Sequence, residues 1–253
     1  ANVSVLTNGT LLTESDLSVF KELGVNKVQI PILSANPAIH DELTQVQGSW
    51  KKAVSNAEKI IKTNSEKFNA VLVLTKQNIL NIEETLSFYE SLGVKTALVN
   101  RFNIGGLGRK HRDELELSHS ELKKVFEQIN NFGKARSIRF FSGVCTPMCI
   151  LNPADYPYIG FSFCNKDVSS RPITINTKGD VRFCNHSPNV LGNIFEKPLK
   201  DILYSETYNS YFNTTPEYCA SCSLLSLCQG GCRAASEQLY NTFSKADPVV
   251  DIK

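Results

Sequence analysis

Eight cysteines are the side chains with chemistry of their own, and all lie between Cys145 and Cys232 of a 253-residue chain. They fall into two spacings, Cys164-x14-Gly179-x4-Cys184 and Cys219-x2-Cys222-x5-Cys228-x3-Cys232, with Cys145-x3-Cys149 ahead of both. A CxxC turn presents two thiolates to one centre, with backbone amides nearby to donate to sulfur. A turn at Gly179 folds the chain back and brings distant residues to one place. Gly230 and Gly231 let the backbone before Cys232 pass close to a bulky group, where a side chain would clash. Metal ligation is the chemistry this implies, because a bound cation offsets the cost of deprotonating a thiol. A disulfide framework is unusual in a chain of this size with no export signal. Residue types alone leave iron–sulfur clusters and two four-thiolate zinc sites both open.

Other motifs carry weaker signals. Gly105-Gly106-Leu107-Gly108 has no lysine–serine/threonine pair in phosphate-loop register and reads as a turn or a close approach to a nucleoside. Arg109-Lys110-His111-Arg112 reads first as a solvated basic loop. His40-Asp41 after Asn36-Pro37 reads as a helix start rather than an acid–base pair. Arg233 and Glu237 read as the solvent face of a short helix beyond Cys232.

The elements that must position these groups fall into two styles. Up to residue 143, apolar runs alternate with amphipathic stretches: strands at Val3–Leu6, Lys27–Ile32, Ala70–Leu74, Thr96–Val99 and Ser137–Phe141. Between them, helices are expected from Thr13, from Ser49, from Ile82 and from a Ser118/Glu121 capping box, with Gly24 and Gly93 as stops. Phe20-Lys21-Glu22-Leu23-Gly24-Val25 echoes Phe88 through Val94, a helix ending on glycine with a strand directly after. Repeated strand–helix units imply a parallel sheet with right-handed crossovers. A closed eight-fold barrel takes about 250 residues, so an α/β partial barrel or an open doubly wound sheet is expected over 1–143. From residue 144 prolines replace periodicity, and Ile173–Asn176 with Val181–Phe183 reads as a β-hairpin turning at Gly179. This is a second module, 144–253, held largely by its ligands.

A formal charge of +2 argues against general binding to nucleic acid or an anionic membrane. No apolar run approaches the ~20 residues of a membrane span. The N-terminal stretch has neither a basic leader nor a long apolar segment, so a cytoplasmic protein is expected.

The second module resembles the SPASM domain, an appendage of radical S-adenosylmethionine (SAM) enzymes, whose pattern C-x(9–15)-G-x4-C followed by C-x2-C-x5-C-x3-C is present in both halves. Leu6 through Leu12 resembles the third strand and loop of the radical SAM barrel, Val99-Asn100-Arg101-Phe102 through Gly108 resembles the sixth, and Val190 through Ile194 is similar to the stretch after the SPASM hairpin. The resemblance implies a partial (β/α) barrel at 1–143, taken up from its third strand, and an auxiliary [4Fe–4S] domain at 144–253. It implies that Cys164, Cys184 and Cys232, with Cys145 or Cys149, hold one auxiliary cluster and that Cys219, Cys222 and Cys228 hold a second. It also implies a SAM pocket lined by Thr7, Asn8, Gly9, Asn78, Asn100 and Arg101.

Three departures stand against the family pattern. The chain lacks the CxxxCxxC motif that binds the SAM-cleaving cluster; Asn152 stands where Cys145-x3-Cys149 would need its third cysteine. The family's last cysteine, expected well after Cys232, is absent, which leaves the second cluster an open iron or a ligand from Asp247, His186 or the spare member of the Cys145/Cys149 pair. Gln29-Ile30-Pro31 has proline where the family offers serine to the SAM ribose. The implied activity is radical SAM-dependent cross-linking, epimerisation or oxidation of a ribosomally made peptide or protein substrate. It would use two auxiliary [4Fe–4S] clusters, SAM, and an external electron donor such as a flavodoxin or ferredoxin. The rival expectations are a catalytically silent peptide-binding module with structural clusters or zinc, and an electron-transfer protein.

Overall fold

Short apolar runs, most of them following a helix, become the strands of one sheet. The computed structural model describes residues 2–165, 167–168 and 172–251. Six strands, β1 (Ser4–Leu6), β2 (Lys27–Pro31), β3 (Phe68–Leu74), β4 (Thr96–Arg101), β5 (Arg139–Ser142) and β6 (Ile159–Phe161), lie side by side in chain order. Every neighbouring pair is parallel. A doubly wound sheet reverses its strand order at a switch point. This order never reverses, so the partial barrel is the reading the topology supports.

Helices connect the strands: α1 (Glu14–Glu22), α2 (Pro37–Thr44), α3 (Ser49–Asn64), α4 (Ile82–Leu92), α5 (Arg112–Leu115) and α6 (His119–Ala135). Thr13 caps α1 and Ser118 caps α6, each in a reciprocal capping box. Gly93 ends α4 at φ +84°, a conformation that glycine adopts without steric cost. One face of α3 buries Ala53, Val54, Ala57 and Ile60. Full burial of a side chain such as Ile60 is worth about 1.5–3 kcal/mol. At the edge of the sheet, α1 has no buried residue, so its caps rather than its packing account for it locally.

The sixth strand is a finding that the sequence did not signal. Ile159-Gly160-Phe161 is three residues long and sits among prolines, too short for any alternation to register. It pairs with β5 through Phe140 and Ile159 and extends the parallel sheet past residue 143.

The chain separates into two compact units: Ala1–Phe102, Leu115–Gly143 and Pro153–Phe161 in one, and Asn103–Glu114, Val144–Asn152 and Ser162–Lys253 in the other. The second contains the antiparallel sheet β7 (Thr174–Ile175), β8 (Asp180–Arg182) and β9 (Val190–Asn193). Its helices are α7 (Leu199–Leu203), α8 (Glu206–Asn213), α9 (Leu225–Cys228) and α10 (Arg233–Tyr240). The expected hairpin is there. Asn176 Oδ1 accepts the N–H groups of Lys178 and Asp180, and Gly179 takes φ +84°. The small core of this unit gathers Val181, Phe183, Ile202, Leu203, Tyr208 and Tyr211, with the Phe183 and Tyr211 rings stacked at 3.8 Å.

Arg233 and Glu237 do sit on a short helix, but buried, not facing solvent. Arg233 donates to the carbonyl of Tyr211 at 2.7 Å, and Glu237 accepts from Ser187 at 2.7 Å and from Asn189. Their polar partners come from segments far away in sequence, which helical periodicity cannot reveal. Among the described residues, no helix is long and apolar enough to cross a membrane.

Candidate metal centres and the strand-end site

The eight cysteines are thiols, none in a disulfide. Four converge on one cavity. Cys149, Cys219, Cys222 and Cys228 line a space of about 210 Å³, together with Pro147, Tyr218, Leu225 and Val250. The C-x2-C turn ends the short helix Glu217–Cys219, and Cys228 closes α9. Cys149 comes from a different segment altogether. The N–H of Met148 donates to Cys228 Sγ at 3.3 Å and ties that segment to the others. Burial pushes the Cys149 thiol up, and its neighbours Cys228 and Cys222 push it further. Cys219 is raised by burial and then by Cys228, Cys149 and Cys222. Ionisation of Cys149 and of Cys219 is therefore opposed by the thiols around them, which is the electrostatic situation that a multivalent cationic centre relieves.

The other thiols gather around Cys232, where Cys145 and Cys184 pack against Cys232, Ala234 and Ala235. Cys164 packs against the cluster containing Val181 and Phe183, the residue just before Cys184. Asn103 Nδ2 donates to Cys232 Sγ at 3.3 Å. Asp247 lies beside this site, accepting the Cys232 N–H at 2.7 Å and the Val249 N–H at 3.0 Å. Gly231 adopts φ +80°, and a Cβ there would stand 2.6 Å from the Pro147 ring and 2.8 Å from Asp247 Oδ2. Among the described residues, no three His, Cys, Asp or Glu side chains converge on a single ion position.

The parallel sheet brings the other expected site residues to its carboxyl ends, where such sheets place their ligands. Thr7-Asn8-Gly9 follows β1 as a tight turn, Thr7 Oγ1 accepting the Gly9 N–H and Asn8 Oδ1 the Thr10 N–H. Gly9, at φ +74°, turns its carbonyl to Asn56 Nδ2 at 2.8 Å. Asn78, just beyond β3, is buried and occupied by backbone: it donates to Leu33 and Val73 carbonyls and accepts the Thr75 N–H. It shapes the strand ends and presents no polar group outward. At the end of β4, Asn100 Oδ1 accepts the Gly143 N–H at 2.7 Å, and Arg101 is buried. Two groups escaped the sequence reading. Thr75 Oγ1, just after β3, and Ser142 Oγ, the last residue of β5, are buried with no hydrogen-bond partner among the described atoms. Threonine and serine are too common for their type to have singled them out.

The remaining motifs resolve to structure. His40 Nδ1 accepts the Leu33 N–H, and Asp41 accepts from Gly48, Ser49 and Trp50, so both serve the start and packing of α2 and α3. The Gly105–Gly108 stretch leads into a 3-10 turn, Gly106–His111, and Arg112 reaches the Pro248 carbonyl. A cavity of about 260 Å³ against α1, lined by Leu17, Phe20, Val25, Val28 and Ile60, is larger than the thiol cavity but gathers no reactive side chain.

Residues 164–223 match the SPASM family, an iron–sulfur cluster-binding domain, and residues 1–89 match the radical SAM superfamily. Residues 1–89 are a radical SAM segment and residues 164–223 a SPASM segment.

The chain is 23% identical, over 97% of its length, to a PqqA peptide cyclase of Ruegeria pomeroyi. It is 22% identical, over 96%, to an AdoMet-dependent heme synthase of Oleidesulfovibrio alaskensis. Streptococcus suis SuiB, solved bound to S-adenosylmethionine, has the same fold: TM-score 0.72 at 19% identity, covering 97% of this chain. The chain spans 66%, 65% and 59% of the lengths of these three proteins. In the SPASM segment the donor set fits its description, since soft thiolates suit iron–sulfur centres as well as zinc. The Gly231 position also fits, because its backbone runs where no Cβ could stand.

Proposed function

We propose that this chain is part of a radical SAM enzyme that modifies a ribosomally made peptide, with residues 1–143 as its SAM-binding partial barrel and 144–253 as its auxiliary cluster domain. β6 is lent to the barrel from beyond that boundary. One observation carries the reading: Cys219 and Cys222 of the SPASM-matching residues 164–223 line one cavity with Cys149 and Cys228, in a chain whose residues 1–89 match the radical SAM superfamily.

Two [4Fe–4S] clusters are assigned to the eight thiols, Cys164, Cys184 and Cys232 anchoring one and Cys219, Cys222 and Cys228 the other, with Cys145 and Cys149 as the remaining donors. SAM and the clusters, when bound, supply one-electron chemistry that the protein's own side chains cannot perform. The chain's residues position and enclose. The turn Thr7-Asn8-Gly9 and the strand-end residues Asn100 and Arg101 line the SAM pocket, and Asn78 fixes the backbone between β2 and β3 beneath it. The hydroxyls of Thr75 and Ser142, without a hydrogen-bond partner among the described atoms, lie at the carboxyl ends of the same sheet.

A peptide substrate is favoured by two relatives: the PqqA peptide cyclase, and SuiB, also solved bound to its precursor peptide SuiA. A flavodoxin- or ferredoxin-type donor and a cytoplasmic location go with this reading, since reduced thiols persist there. The test is SAM cleavage by the longest natural form of the protein, reconstituted anaerobically, with and without a candidate precursor peptide. Peptide-dependent cleavage and a mass change in the peptide are the expected results. SAM-independent behaviour, with metal bound only as zinc, would leave a silent binding module.

A further inference from the structure

We infer that Cys149 is the fourth ligand of the second cluster and Cys145 the fourth ligand of the first, so that both clusters are closed by thiolate and neither offers an open iron to substrate. The inference deepens the cluster assignment above and rests on it.

The folded chain sets one further thiol beside the three of the second site. Cys149 lines the same cavity as Cys219, Cys222 and Cys228, whereas the other candidate donors are engaged elsewhere. The Asp247 carboxylate is taken by the N–H groups of Cys232 and Val249. His186 does not line this cavity, and its Nδ1 lies beside Gly105, 3.6 Å from where an added Cβ would stand. Cys149 is held in place from two sides: by the Met148 N–H bond to Cys228 Sγ and by contact with Tyr218. Its partner in the five-residue loop, Cys145, packs instead on Cys232 and Cys184.

The result is a symmetric arrangement in sequence. Two segments with the same spacing, Cys145-x3-Cys149 and Cys228-x3-Cys232, each give one thiol to each site. A four-thiolate cluster has no vacant coordination position, so its chemistry is limited to taking up and passing on electrons. Substrate ligation through the second cluster, the role an incomplete ligand set would suggest, is excluded by this arrangement.

The test uses the anaerobically reconstituted chain, its reduced state followed by EPR with and without added cyanide, a small ligand for open iron. Wild type is expected to show two cluster signals, neither altered by cyanide. Cys149→Ala is expected to shift or remove one signal, leave the other, and make the affected cluster cyanide-sensitive; Cys145→Ala should do the same to the other signal. If Cys149→Ala fails to fold, the wild-type cyanide response still decides, because sensitivity there means an open iron. A cyanide-sensitive wild type, or a folded Cys149→Ala with both signals unchanged, overturns the inference while leaving two clusters in place. A wild type that takes up no iron overturns the underlying cluster assignment instead.

Discussion

The backbone N–H of Met148 points at Cys228 Sγ across 3.3 Å. That contact joins two short segments, each of which carries one cysteine toward the four-thiol cavity and one toward the Cys232 site. N–H donors of this kind steady sulfur when it carries charge, and they are among the protein's means of setting a cluster's potential. The cysteine module is therefore tied together across its two sites before any metal is considered, and several outcomes follow from how it is tied.

Asn103 supplies the side-chain counterpart, its Nδ2 donating to Cys232 Sγ. Asn103→Leu removes a donor that favours the reduced, more negative cluster. The midpoint potential of the Cys232 cluster should move to a more negative value, and the second cluster should hold its potential. A redox titration followed by EPR reads both at once. Equal movement of the two potentials would mean general loosening of the module instead.

Gly231 is a position where side-chain bulk and backbone conformation both count. At φ +80° an alanine is strained, which costs about 1–3 kcal/mol. Its Cβ would also collide with Pro147 and Asp247. Gly231→Ala should cost at least about 2 kcal/mol in the cysteine module and lower its iron content on reconstitution. Thermal melting and iron analysis of the purified variant check this. Gly24→Ala, where a Cβ meets nothing within 4 Å, is the control expected to leave iron content unchanged.

The barrel unit should weaken in mild acid. Burial holds His40's imidazole pKa below the ordinary histidine value, with the Asp41 carboxylate opposing the effect. A depressed histidine pKa means that its contribution is complete above the unfolded value of about 6.5 and is lost as pH falls through the folded value. The reason is local: a protonated Nδ1 can no longer accept the Leu33 N–H. Urea midpoints compared at about pH 7.5 and about pH 5.5 should fall for wild type and fall less for His40→Gln. Parallel losses in both proteins would assign the acid sensitivity to other groups.

Tyr89 is fully buried and its hydroxyl donates to the Ile32 carbonyl at 2.5 Å, with burial pushing its pKa far up. Tyr89→Phe leaves that carbonyl without the donor and should cost about 1 kcal/mol. Chemical denaturation measures it. A neutral result would show that the Ile32 carbonyl finds another donor.

Much of this was legible in the sequence, and the physical reasons are local ones. The N-cap at Thr13, the capping box at Ser118, the glycine stop at Gly93 and the turn at Gly179 are decided within a few residues, and each forms as its neighbours dictate. The chain-ordered parallel sheet follows from repeated strand–helix units. The three residues of β6 were not legible, because pairing with β5, not their own pattern, makes them a strand. Nor was the burial of Glu237, whose partners Ser187 and Asn189 are about fifty positions away. The thiols show the same division. Spacing marked six of them as donors and the family resemblance added Cys145 and Cys149, but these two part company only when the folded chain sets one beside Cys232 and the other beside Cys219, Cys222 and Cys228.

The most direct test of the account is the metal content of the anaerobically reconstituted wild-type chain, with iron, acid-labile sulfide and zinc measured together. About eight iron and eight sulfide per chain, the content of two four-iron clusters, is the predicted result. Stoichiometric zinc with no sulfide would contradict it.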